Sequence, residues 1–227
     1  MSMTFVCLLY YYKCANTPKV VPITIPRSGS RCGGSFGRTI GGPNGSPDRS
    51  EKSSSAQRRY IVNNLKKKSE VANKLLMLDE MIQHLIRVAV LDVMNKEPNR
   101  HEETPMGKYV ENLRSKYELT ILKENESLRP RTDMTSFNIN KGEMMVFCVR
   151  KPDTPYSLID DNTLKYVAIH EISHIACPEI GHTPLFREIF AYLVKLAIQH
   201  GLYTYVDYST KPQEYCGLEI HQTVAND

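Results

Sequence analysis

Residues 170–182 read His-Glu-Ile-Ser-His-Ile-Ala-Cys-Pro-Glu-Ile-Gly-His. His170 and His174 are four apart, so on a helix one imidazole stands a turn above the other on the same face. Two imidazoles so placed reach one zinc ion at roughly 2.0–2.1 Å. Glu171 is rotated by about 100° from His170, beside the metal face rather than opposite it. A carboxylate there can take a proton from a metal-activated water and pass it to a leaving amine. A catalytic zinc usually takes three protein ligands and leaves the fourth position to water. Cys177, His182 and Glu188 compete for third place. His182 is favoured, because Pro178 stops the helix and Gly181 lets the backbone return sharply toward the site. Cys177 would bind at a fraying helix end, and its thiolate would weaken the Lewis acid; it reads as packing under the loop. Glu188, on the following helix, is the remoter option.

The elements that must position these groups can be read from the flanks. The segment NTLKYVAIHEISHIA is a helix capped by Asp160 or Asp161 and ended by Pro178. Val167, Ala168, Ile169, Ile172, Ile175 and Ala176 make it apolar almost all round, so it must be central and buried. Buried histidines and a buried glutamate need partners, and a metal supplies them. Thr183-Pro184 opens a second helix, LFREIFAYLVKLAIQH, with Gly201 at its stop. Upstream, Val71, Leu75, Leu78, Ile82, Leu85 and Ala89 recur at helical steps from an N-cap at Ser69 to a fade near residues 95–98. A shorter helix runs from about Pro105 to Tyr117. Residues 119–122 form a β-prone run, and 136–150 read as two strands around the turn Asn140-Lys141-Gly142. The tail 202–227 reads as irregular, with Tyr215 either packed or lending a phenol to the metal site. The expected class is α+β.

The formal charge of +4 conceals a split. Residues 18–68 carry eleven Lys/Arg against two acids, a segment at +9 that leaves the rest of the chain at −5. Residues 26–58, rich in Gly, Ser, Pro and Arg, lack the apolar surface to offset their conformational entropy and read as flexible. Such an arm could neutralise phosphates without reading sequence, but it lacks the interleaved aromatics of a stacking platform. The six cysteines form no C-x-x-C pair and no compact framework, which fits reduced thiols better than a stapled scaffold. The apolar run FVCLLYYY at 5–12 is far shorter than the roughly 20 residues of a membrane span, so its membrane contact would be interfacial at most. The domain reading is a short apolar segment 1–17, a flexible basic arm 18–59 and a folded domain 60–227.

The stretch 162–190, together with TSFNINKGEMMVFCVR upstream, resembles the WLM family of zinc metallopeptidases, relatives of SprT-like proteases, in the branch carried by large DNA viruses. The resemblance spans about residues 60–220 and rests on an H-E-x-x-H-x7-H core. It implies a minimal zincin-like fold: a small β-sheet, the H-E-x-x-H active-site helix and packing helices behind a disordered arm. It implies zinc (Zn2+) held by His170, His174 and His182, with Glu171 as general base. The gap from His174 to His182 is longer than in cellular members, whose substrates are proteins crosslinked to DNA. The expected function is therefore a zinc-dependent endopeptidase acting on protein substrates, DNA-associated or virion proteins among them. Nonspecific nucleic-acid contact would fall to residues 18–68. The rival reading is a minor capsid or scaffold protein that uses the same fold as architecture and tethers neighbouring capsid proteins through the arm. Either role places the protein in the host cytoplasm or nucleus, or packaged in the virion.

Overall fold

The computed structural model describes residues 20–24, 59–97, 103–126, 135–152, 154 and 156–221. The apolar run 5–12 and the arm over 26–58 lie outside these residues. Strand β1 (Val20–Thr24) pairs antiparallel with β2 (Arg59–Asn63), Val21 facing Val62 and Ile23 facing Tyr60. Residues 20–24 therefore belong to the folded sheet, which corrects the expectation of a flexible arm over the whole of 18–59. Alternating valine and isoleucine satisfy the pleat there, and Val21 and Ile23 pack against the core.

The chain leaves β2 through a turn into α1 (Lys68–Lys96), entered from Lys67 in the left-handed region with no side-chain cap. Ser69 lies inside the helix rather than at its cap. Arg150 donates from Nη1 to the Lys66 carbonyl at 2.8 Å, a tertiary contact just ahead of the helix start. Helix α2 (Pro105–Tyr117) is capped by Thr104, whose hydroxyl accepts from the Gly107 N–H. It leads into β3 (Ile121–Glu124), two residues later than the run 119–122 predicts. Leu119 is 83% exposed, whereas Lys123 and Glu124 continue the strand. Glu124 is buried because Arg150 donates to it at 2.6 Å and the Asn63 N–H at 2.7 Å. An ion pair satisfied in this way can sit inside a sheet without leaving a charge uncompensated.

Strands β4 (Phe137–Ile139) and β5 (Met144–Phe147) form the expected hairpin. The five-stranded sheet runs β1-β2-β3-β5-β4, with β2, β3 and β5 parallel and both edges antiparallel. Helix α1 packs against β2 and β3, α3 (Asp161–Ala176) meets β4, and α4 (Pro184–Gln199) packs on α3 and α1; α3 and α4 are capped by Asp160 and by Thr183, with Pro184 at the first helical position. The architecture is α+β, as expected. One core joins sheet and helices, and α1 threads it with Val71, Leu75, Leu78, Ile82 and Leu85. Asp79, buried within that helix, is held by the hydroxyls of Tyr60 and Tyr117 at 2.9 Å each, which ties β2 and α2 to α1.

The tail carries regular structure over 213–220, which corrects the expectation of an irregular tail. β6 (Gln213–Tyr215) and β7 (Leu218–Ile220) make a hairpin across Cys216 and Gly217, both at positive φ. A disulfide joins Cys148 to Cys216, which corrects the reading of reduced thiols throughout. The Tyr215 hydroxyl donates to the Cys148 carbonyl at 3.0 Å and lies 2.5 Å from Ser136 Oγ. The tail is thus bonded to the end of β5 and the approach to β4. Among the described residues, no helix is long and apolar enough to cross a membrane.

Candidate metal centre

Helix α3 is buried on nearly every side, and Ser173 spends its hydroxyl on the Ile169 carbonyl one turn back. The fixed helix sets His170 and His174 one above the other, their Nε2 atoms 3.2 Å apart. Beyond Ala176 the chain turns at Cys177-Pro178, passes Gly181 at φ 86°, and brings His182 Nε2 to 3.0 Å from His170 Nε2. The three ligand atoms all lie within 4.8 Å of one another. Tetrahedral bonds of about 2.0–2.1 Å to one zinc would separate their nitrogens by roughly 3.3 Å. The three histidines fit such an ion in number, spacing and donor type.

The surroundings keep these imidazoles in the form that binds metal. Burial, with His174 and His182 nearby, holds His170 well below the usual histidine range. Burial brings His174 down to about 3, helped by His182 and Lys141, and lowers His182 with a contribution from Arg187. Neutral imidazole is the ligating species. Helix α4 supplies the wall behind them. Phe186 stacks on His174 with centroids 4.1 Å apart, and Phe186 and Phe190 meet His170 edge-on at 5.0 and 5.1 Å. Thr183 sets the register of that wall, since its hydroxyl accepts from the Phe186 N–H and starts the helix.

Glu171 is 2% exposed. Burial pushes its carboxyl up to about 8, opposed by a hydrogen bond from Asn138, which makes it a stronger base than an exposed glutamate. Asn138 Nδ2 donates to Glu171 Oε2 at 2.6 Å and to the Glu171 carbonyl oxygen at 2.7 Å. Both partners are acceptors, so only the amide nitrogen can face them.

The other sequence candidates stay outside the cluster. Cys177 is the C-cap of α3, a buried free thiol that is not part of the histidine group. Glu188 is exposed on α4. Tyr215 uses its hydroxyl on Ser136 and Cys148, so its phenol is engaged in holding the tail. Burial raises its pKa, with the Ser136 bond opposing and Glu171 adding a smaller upward push. No sequence motif marks Asn138. The available signal was a polar residue at the inward position of a short strand, between Phe137 and Ile139.

No protein-family model matches the chain. Uncharacterized protein R325 of Acanthamoeba polyphaga mimivirus is 36% identical over 171 residues, covering 75% of this chain and 81% of that protein. Uncharacterized protein 136R of Invertebrate iridescent virus 6 is 39% identical over 83 residues, and Uncharacterized protein 042R of Invertebrate iridescent virus 3 is 35% identical over 88. Those matches span 44% and 52% of the two iridescent-virus proteins. Among solved structures, a Wss1 mutant from Saccharomyces cerevisiae aligns at TM-score 0.39 and 18% identity, covering 63% of this chain and 92% of that one. By the extent of the mimivirus match, the chain belongs to the viral protein family that contains R325.

Proposed function

We propose that the protein is a zinc-dependent endopeptidase of the WLM type, with His170, His174 and His182 holding the metal and Glu171 acting as general base. The observation that carries this reading is a buried carboxylate clamped beside three converging imidazoles. Zinc bound there would supply Lewis acidity, polarising the scissile carbonyl and acidifying the attacking water. The protein's own groups do the rest. The two histidines of α3 are set by a rigid helix, and His182 closes the ligand set from the loop. Glu171 takes the proton of the attacking water and delivers it to the departing amine. Asn138 holds that carboxylate to one orientation, so little reorganisation is needed during proton transfer.

The buried base weighs against the architectural alternative, because a purely structural zinc site has no use for a carboxylate held next to its ligands. Protein substrates follow from the chemistry. Nucleic-acid contact through residues 18–68, contact with virion proteins, and action in the host cytoplasm or nucleus belong to the same proposal. The test is hydrolysis of casein and of DNA-coated protein by the zinc-loaded chain and by Glu171→Gln. The proposal expects cleavage by the first and a loss of several orders of magnitude in the second. Equal rates, or stoichiometric zinc with no hydrolysis of either substrate, would overturn it.

A further inference from the structure

The turn between β4 and β5 has an unusual backbone. Asn140 and Lys141 both adopt positive φ, 49° and 50°, and Gly142 follows at 112°. Asparagine and glycine suit such a turn, but lysine has no preference for it. A residue held in a disfavoured region points to something that holds it there. Here the Lys141 ammonium donates to the carbonyls of Cys177, Pro178 and Glu179 at 2.9, 2.6 and 2.9 Å. Three N–H groups meet three carbonyls, which is the whole donor capacity of the side chain.

Those carbonyls belong to the first residues beyond α3. A helix end leaves its last carbonyls without intrahelical partners and attracts positive charge. Asn112 of α2 takes the two before them, donating to Ile175 O at 2.9 Å and Ala176 O at 3.1 Å. Two side chains thus occupy five consecutive carbonyls, from 175 to 179, and only Ile180 and Gly181 then remain before His182. The turn is also seated on α3: a Cβ at Gly142 would lie 3.2 Å from Ile175 Cγ2.

We propose that Lys141 is a positioning residue for the metal centre. By binding the carbonyls of 177–179 it fixes the path of the loop and places His182 against His170 and His174. The inference rests on the zinc reading above. His170 and His174 are set by their helix, so the positioning effect of Lys141 on metal affinity runs through the third ligand. Without it the loop must be ordered when the metal binds, and that ordering weakens binding.

The test titrates zinc into the full-length protein against a chromophoric chelator, comparing wild type, Lys141→Met, His182→Ala and the double variant. Removal of a residue that orients a ligand typically weakens metal binding by about 10–100-fold, and that is the loss expected for Lys141→Met. His182→Ala should weaken it too, and the double variant should match His182→Ala. Unchanged affinity in Lys141→Met overturns the inference. So does a further loss of the same size in the His182→Ala background, since Lys141 would then act on something other than the loop. A wild type that binds no zinc overturns the metal centre itself, and the inference with it. Amide exchange in the metal-free protein gives a second readout: residues 179–182 should exchange faster in Lys141→Met while α3 does not, and equal protection contradicts the proposal. If Lys141→Met does not fold, Lys141→Gln carries the same comparisons with the same outcomes.

Discussion

In the mechanism proposed above, Asn138→Ala isolates the orientation of the base from the metal and from the fold. Asn138 is 7% exposed, so water does not readily take its place, and its amide makes the 2.6 Å bond to Glu171 Oε2. A hydrogen bond to a charged group is worth about 1.5–3 kcal/mol. If that energy is what holds the carboxylate in its productive orientation, its loss lowers kcat by roughly 10–150-fold at about 1.4 kcal/mol per decade. Zinc content should not change, because Asn138 is not part of the three-histidine cluster. The assay is kcat on a fluorogenic protein substrate, with zinc measured by mass spectrometry on the same samples. In the Glu171→Gln background the added Asn138→Ala should cost nothing further, since the carboxylate it orients is gone. A rate within twofold of wild type, or a full additional loss in the Glu171→Gln background, would refute the reasoning.

Two other outcomes follow from the fold. The Cys148–Cys216 bridge closes a loop of 68 residues, and the chain-entropy relation gives about 4 kcal/mol for a loop of that length. Cys216→Ser, or reduction of the wild type, should therefore lower Tm by roughly 8–16 °C for a chain of this size; thermal melts insensitive to reductant would contradict the pairing. The chelated protein should also be acid-sensitive. His174 is brought down to about 3, so the unfolded chain binds its proton first. The stability is present above the unfolded value near 6.5 and is lost as pH falls toward 3. Between pH 6.5 and 5 this withdraws about 2 kcal/mol, and urea midpoints of the chelated protein at pH 7 and 5 that agree would contradict it.

The helix that carries the histidine motif is legible from the chain because several local signals agree. Asp160 caps it, Pro178 stops it, Thr183-Pro184 opens its successor, and apolar residues surround the motif. The glycine that turns the chain back toward the site was readable as well, since Gly181 follows Pro178 at close range. What escaped depends on partners far along the chain. β1 is a short apolar stretch that becomes a strand only by pairing with β2, across residues 25–58. β3 was displaced because Lys123 and Glu124 look polar until Arg150 arrives to bury the carboxylate. The tail hairpin turns at Cys216, a residue with no turn preference, next to a bridge to Cys148 that no spacing rule announces. Asn138 and Lys141 act on residues 33 and 36–38 positions away, and no local periodicity encodes such a contact.

The central claim, a metal centre of three histidines with a loop-borne third ligand, is tested most directly by zinc stoichiometry of purified wild type, His182→Ala and Cys177→Ala. The account predicts one zinc per chain in wild type and in Cys177→Ala, and strongly reduced retention in His182→Ala. Full retention by His182→Ala together with loss in Cys177→Ala would contradict it.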